Sequence, residues 1–117
     1  KSRIKQIQRQ MARSRMMKDV ERADVVITNP THYAVALAYD SALHNAPVVL
    51  AKGADKLAER IKEIASNNDI PVVENEALAQ TLYRTVEVGD EIPETLYQAV
   101  AEILAFIYSL KGEEVMK

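Results

Sequence analysis

The chain contains no cysteine among its 117 residues. A disulfide framework and thiol catalysis are therefore excluded, and the composition fits a reducing compartment. Histidine is also scarce, because only His32 and His44 are present, and they lack the spacing of paired zinc ligands. We therefore expect no metal site and no cofactor.

Long apolar runs are missing as well. No stretch of the sequence approaches the length of a membrane span, and no signal peptide is recognisable. Internal repeats and low-complexity segments are absent too. The length fits one domain, and a hydrophobic content of 48% is enough for a core.

Charge is unevenly distributed, although the net charge is only −2. Residues 1–22 contain eight basic and two acidic side chains, a net charge of +6, so the remainder carries −8. The stretch has no glycine or proline, and Ile4, Ile7, Met11 and Ser14 recur at helical spacing. This pattern predicts a weakly ordered helix with a narrow apolar stripe. Three interpretations stay open: a solvated helix, a linker beside anionic lipid headgroups, or a nucleic-acid contact.

Short apolar runs and helical spacing predict the remaining secondary structure. Short apolar runs predict four strands, near residues 24–28, 33–39, 47–51 and 70–74. Helical spacing predicts three helices, one beginning after a turn at 52–55, one over 76–85 with Asn75 as its N-cap, and one from Pro93 to Gly112. The third strand, the first of these helices and the fourth strand should form a parallel unit.

These elements together predict an α/β fold. We expect a small mixed sheet of about four strands, flanked by helices and preceded by a basic linker helix. The corresponding division of the chain is a linker helix at 1–23, an α/β domain at 24–112 and a frayed tail at 113–117.

The most informative stretch is Asn29-Pro30-Thr31-His32, predicted to lie in an exposed loop between the first two strands. Proline has no backbone N–H, so the usual attack of that nitrogen on an asparagine side chain cannot occur. The Asn29 side-chain nitrogen can instead attack its own main-chain carbonyl carbon, close a succinimide and expel Pro30. A fold that holds the two groups in an attack geometry would make this slow reaction useful.

The same residues also fit an ordinary turn. Asn and Pro are common turn residues, and the Thr31 hydroxyl could cap the turn. His32 could donate a hydrogen bond that polarises the Asn29 carbonyl, or could simply stabilise the loop. By average residue usage, however, this tetrapeptide should occur on the order of once per 10⁵ positions.

The motif and its surroundings resemble a known family. NPTHYAVALAYD, followed by AKGADKLAERIKEIA, IPVVEN, LAQTLY, VGDEIP and LYQAVAEILA, resembles the cytoplasmic domain of the flagellar type III export switch proteins, the FlhB/YscU family. The resemblance extends from about Asp24 to near the end of the chain. Residues 33–37, YAVAL, are more similar to the flagellar branch than to the injectisome branch.

The resemblance implies a function. It implies self-cleavage between Asn29 and Pro30 as a single intramolecular event, with Thr31 and His32 organising the loop. It also implies a switch of exported substrates from rod and hook to filament type. The implied partners are export apparatus proteins, exported flagellar substrates and a hook-length control protein. A membrane-embedded portion preceding Lys1 is implied too, so that this part would be the cytoplasmic domain of an inner-membrane protein.

A nucleic-acid-binding α/β domain is the competing interpretation. The basic helix would then contact phosphates, with Lys52-Gly53 as a backbone clamp. The sequence lacks clustered aromatic residues for base stacking, and the chain beyond the basic helix is acidic. We therefore expect no nucleic-acid partner.

Overall fold

The computed structural model describes residues 2–30 and 32–116 as four helices, four strands and two short 3-10 turns. Each of the four predicted strands and the basic helix is present. The elements are α1 (Ser2–Asp19), a 3-10 turn (Val20–Arg22), β1 (Val25–Asn29), β2 (Tyr33–Ala38), β3 (Val48–Ala54), α2 (Lys56–Asn67), β4 (Val72–Glu74), α3 (Glu76–Thr85), a second 3-10 turn (Glu94–Leu96) and α4 (Tyr97–Met116).

The strands form one mixed sheet in the order β3-β2-β1-β4. β1 and β2 pair as an antiparallel hairpin, β2 pairs antiparallel with β3, and β1 pairs parallel with β4. The predicted α/β class with a mixed four-stranded sheet is therefore confirmed. β3 and β4 run in the same direction, as predicted, but they are not neighbours, because β2 and β1 lie between them.

Alternate residues of the strands face two separate cores, as expected from the two-residue period of a strand. One core packs against α3 and α4, and the other packs against α2 and the end of α1. On the α2 side the sheet presents mainly small side chains, which allow the helix to approach closely: Ala34, Ala36 and Ala51, facing Ala58 and Ala65.

β3 extends further than the sequence predicted. Residues 52–54 belong to the strand, so the turn predicted over residues 52–55 is wrong except at Asp55. Gly53 pairs with Ala34, and a Cβ atom on Gly53 would lie only 2.8 Å from the Cγ of Leu57 in α2. The glycine therefore serves close packing of a helix on a strand, not the conformational freedom of a turn.

Both ends of the last helix differ from the prediction. Pro93 precedes the 3-10 turn, and α4 begins only at Tyr97. Gly112 was predicted to end the helix, but α4 continues to Met116. A glycine costs a helix interior only about 1 kcal/mol relative to alanine, so it does not by itself stop one.

The start of α3 agrees with the prediction. The Asn75 side-chain oxygen accepts a hydrogen bond from the Leu78 N–H at 3.1 Å, which caps the helix. The Asn75 N–H in turn donates to the carbonyl of Thr28 in β1 at 2.9 Å. Asn75 therefore connects the beginning of α3 to the end of the central strand.

Candidate functional site

The predicted site lies where the β1–β2 hairpin turns. Asn29 is the last residue of β1 and faces Tyr33, the first residue of β2, so three residues connect the strands. Pro30 and His32 are exposed to solvent. Thr31, the remaining residue of the predicted site, lies outside the described residues.

Asn29 is not in an exposed loop, which corrects the expectation from the sequence. It is only 8% exposed and belongs to a strand in which every residue is buried. The correction has a simple cause, because β1 pairs on one side with β2 and on the other with β4. The residue that would react is therefore held by the sheet up to the bond that would break.

The Asn29 carbonyl oxygen accepts a hydrogen bond from the backbone N–H of His32 at 3.0 Å. This carbonyl carbon is the one that the Asn29 side chain would attack. A donor at that oxygen polarises the carbonyl and would stabilise the negative charge that develops on it. The sequence suggested a donor role for His32, and the structure places the backbone N–H in that position, while the imidazole lies 6.2 Å from the Tyr33 ring, centroid to centroid.

Two further contacts attach the turn to the β3–α2 region. The Asp55 N–H donates to the His32 carbonyl at 2.9 Å, and the Lys62 ammonium donates to the Pro30 carbonyl at 3.1 Å. Asp55 has a φ of 53° and a ψ of −117°, a conformation that non-glycine residues rarely adopt. Sequence reasoning missed Asp55 and Lys62 in this role, because no local pattern indicates that they meet the turn.

An aromatic stack anchors the first residue of β2. The rings of Tyr33 and Tyr83 stack with centroids 4.3 Å apart and an interplanar angle of 24°. The Lys52 ammonium lies 5.4 Å from the centroid of the Tyr83 ring and donates to the Tyr83 carbonyl at 2.9 Å. Tyr33 therefore connects the end of the turn to α3.

Two cavities lie at the surface, one beside the turn and one against α4. One, of about 310 Å³, lies beside Pro30 and is otherwise lined by residues of the β3–α2 region: Asp55, Lys56, Ala58, Glu59 and Lys62. The other, of about 200 Å³, is mostly apolar and is lined by Tyr39, Asn45, Ala46, Pro47, Tyr97, Ala101 and Leu104. The second cavity was not predicted, because its walls come from segments far apart in the chain.

Across residues 2–30 and 32–116, no cluster of three His, Cys, Asp or Glu side chains could hold a metal ion. Within the same part of the chain, each helix is too short or too polar to cross a membrane. The hairpin turn is therefore the candidate functional site.

Comparison with known proteins points to one family. The model of the FlhB HrpN YscU SpaS family matches residues 1–107. The flagellar biosynthetic protein FlhB of Yersinia enterocolitica is 58% identical over 111 residues, which is 95% of this chain and 29% of that protein. FlhB of Bacillus subtilis (strain 168) is 52% identical over 95% of this chain and 31% of its own length. The chain thus spans less than a third of either relative.

A solved structure agrees with these relatives. The crystal structure of the cytoplasmic domain of FlhB from Shewanella putrefaciens superposes with a TM-score of 0.83 at 41% identity. The match covers 87% of this chain and 78% of that one. At this identity the likeness extends to sequence as well as fold.

Proposed function

Because this chain belongs to the FlhB HrpN YscU SpaS family, we propose that it is a self-cleaving part of the flagellar type III export apparatus. The resemblance noted in the sequence is confirmed at the level of the family, and the names of the relatives favour its flagellar branch. The proposed cut lies between Asn29 and Pro30. Its role is to change the exported substrates from rod and hook proteins to filament proteins.

The proposed reaction is one intramolecular substitution. The Asn29 side-chain nitrogen forms a bond to the Asn29 carbonyl carbon, and the bond from that carbon to the Pro30 nitrogen breaks. One proton passes from the attacking nitrogen to the leaving nitrogen, so the products are a succinimide at Asn29 and a new amino terminus at Pro30. No metal or cofactor takes part in this balance, and the event occurs once for each chain.

The observation that carries this proposal is the hydrogen bond from the His32 N–H to the Asn29 carbonyl, 3.0 Å long. It places a donor at the oxygen on which negative charge would develop. The bonds at the Pro30 and His32 carbonyls restrict the turn further, so less conformational freedom remains to be lost on the way to the transition state.

Membership of the family supports a proposal about the partners and the location of this domain. We propose that its partners are export apparatus proteins, exported flagellar substrates and a hook-length control protein, and that it is the cytoplasmic domain of an inner-membrane protein. The likeness to a domain described as cytoplasmic supports the location. The basic residues of α1 suit a position near anionic lipid headgroups.

A nucleic-acid-binding function is not favoured. The family match covers the basic helix as well as the domain, and the matching relatives are named flagellar biosynthetic proteins. A separate nucleic-acid function is therefore not needed to explain the basic segment.

A denaturing gel of the purified chain, followed by mass spectrometry, tests the proposal. Two fragments, covering residues 1–29 and 30–117, are expected. A single intact band after prolonged incubation, together with salt-dependent RNA affinity, would overturn the proposal and restore the alternative.

A further inference from the structure

Lys62 occupies a defined position beside the hairpin turn. It lies on α2, whose buried residues Ala58, Ile61 and Ala65 fix the helix against the sheet. The Lys62 side chain is partly buried, and it lines the cavity that also contains Pro30. The packing of the helix therefore fixes the position from which the Lys62 side chain extends.

The Lys62 ammonium binds a backbone carbonyl and not a neighbouring carboxylate. Glu59 lies one turn earlier on the same helix and lines the same cavity, and Glu63 follows Lys62 directly. Glu63 pairs with Arg60 at 3.0 Å, whereas the Lys62 ammonium donates to the neutral carbonyl of Pro30 at 3.1 Å. Holding a long, flexible side chain in one place costs rotamer freedom. The hydrogen bond to the turn offsets this cost and distinguishes Lys62 from a solvated surface lysine.

The carbonyl that Lys62 binds belongs to the leaving group of the proposed cleavage. We propose that Lys62 is a positioning residue for cleavage, an inference that rests on the proposed function. Its ammonium fixes the peptide plane that follows Pro30, and thereby the orientation of the Pro30 ring relative to the Asn29 carbonyl.

Two hydrogen-bond donors contact the two residues that the proposed cleavage would separate. The His32 N–H lies at the carbonyl that is attacked, and Lys62 lies at the residue that departs. The His32 donor is a backbone group of the turn and the Lys62 donor is a side chain of α2, so substitution of Lys62 leaves the other donor in place. Lys62 does not touch the reacting atoms, and so it acts by placing Pro30.

Cleavage kinetics test the role of Lys62. The 117-residue chain is made by cell-free translation, synthesis is stopped, and the intact fraction is followed on denaturing gels. Lys62→Met keeps the length of the side chain but removes the charged donor, and it should slow cleavage about tenfold, as expected for the loss of a charge-assisted hydrogen bond. Lys62→Arg keeps a charged donor and should cleave within about twofold of the unsubstituted chain.

Two controls separate positioning from general stability. Lys56→Met makes the same change of charge at an exposed lysine that lines the same cavity, and it should cleave at the unsubstituted rate. Thermal unfolding of each variant, measured in an Asn29→Ala background to keep the chain intact, should give nearly the same midpoint. If Lys62→Met does not fold, Lys62→Gln takes its place in the same comparison.

The outcomes distinguish this inference from the proposed function. Cleavage of Lys62→Met at the unsubstituted rate, or equal slowing by Met and Arg with a lowered midpoint, overturns the positioning role alone. An unsubstituted chain that never cleaves overturns the proposed function, and the inference with it. Slowing by Met, rescue by Arg and no effect at Lys56 support the inference.

Discussion

Asn29 carries both the amide nitrogen that would attack and the carbonyl carbon that would be attacked. The sheet fixes the backbone of this residue on two sides, through its pairing with Tyr33 and through Asn75, which binds the preceding carbonyl. Asn29 as a whole is also largely buried, which limits the access of water to it. A reaction that is very slow in a flexible loop is therefore placed in a rigid environment.

Asn29→Ala should abolish cleavage, because it removes the attacking nitrogen. Since Asn29 is only 8% exposed, we also expect a loss of about 1 kcal/mol in the free energy of unfolding, the usual size for a point substitution. Mass spectrometry of the purified variant checks the first effect, and denaturant unfolding checks the second. Asn67→Ala, a change at an exposed asparagine in α2, is the control. A normal yield of fragments beginning at Pro30 in the Asn29 variant would rule out cyclisation.

Pro30→Ala should slow cleavage without stopping it. Alanine restores a backbone N–H and frees the φ angle, so the bond is held less well in the attack geometry. The same N–H reopens the competing attack on the Asn29 side chain, so some chains should become deamidated instead. A time course on denaturing gels measures the rate, and peptide mapping detects the deamidated product. An unchanged rate would show that the proline ring is not required for alignment.

β3 and α2 approach each other closely at Gly53. A Cβ atom there would lie 2.8–3.0 Å from three side-chain atoms of Leu57, so one of the two elements has to move. Gly53→Ala should therefore lower the free energy of unfolding by about 1–3 kcal/mol, the typical cost of overpacking.

Denaturant unfolding in the uncleavable Asn29→Ala background measures this cost. Leu57→Ala removes the atoms that the new methyl group meets, so the double substitution should cost less than the sum of the single ones. Additive costs would show that the contact with Leu57 is not the cause.

The exposure of α1 to solvent changes along its length. The expectation of a weakly ordered segment therefore applies mainly to its first turns. Ile4, Ile7 and Met11 are 61%, 48% and 57% exposed, whereas Met16 and Met17 pack against the core beneath α2. Hydrogen exchange of the isolated domain should therefore be fast over the first turns and slower toward residue 20, because isolated helical turns are marginal in water. Uniform strong protection in dilute monomer would mean that the whole helix docks.

Cleavage would divide the molecule between two strands of one sheet. The first fragment, residues 1–29, would contain β1, which lies between β2 and β4 of the second fragment. Val25, Val26 and Ile27 are fully buried. Separation would expose them at about 1.5–3 kcal/mol for each side chain and would remove the hydrogen bonds on both sides of β1.

The two fragments should therefore remain together as one folded unit. Size-exclusion chromatography in native buffer, followed by a denaturing gel of the peak, is the measurement. Both fragments should co-elute at the size of the intact domain and separate only in denaturant. Separation in mild buffer would mean that the contacts of β1 do not hold the nicked domain together.

Local patterns in the sequence were enough to predict the helices, the strands and the reactive Asn29–Pro30 bond. Short apolar runs indicated each strand, helical spacing indicated α2 and α3, and Asn75 was recognised as a cap, because these features depend on near neighbours. The reactivity of the Asn29–Pro30 bond was also readable, since it follows from covalent structure. The errors at Gly53 and Gly112 have one origin: a glycine looks the same in sequence whether it turns the chain, permits a close contact or is tolerated inside a helix.

Only the tertiary structure decided what surrounds that bond. The order of the strands places β1 between β2 and β4 and so buries Asn29, and that order depends on pairings between distant segments. Asp55 and Lys62 reach the turn because β3 and α2 pack beside it. Such contacts have no sequence period, since they result from how whole elements bury their apolar faces. The sequence therefore determined which bond could react, and the packing decided how it is held.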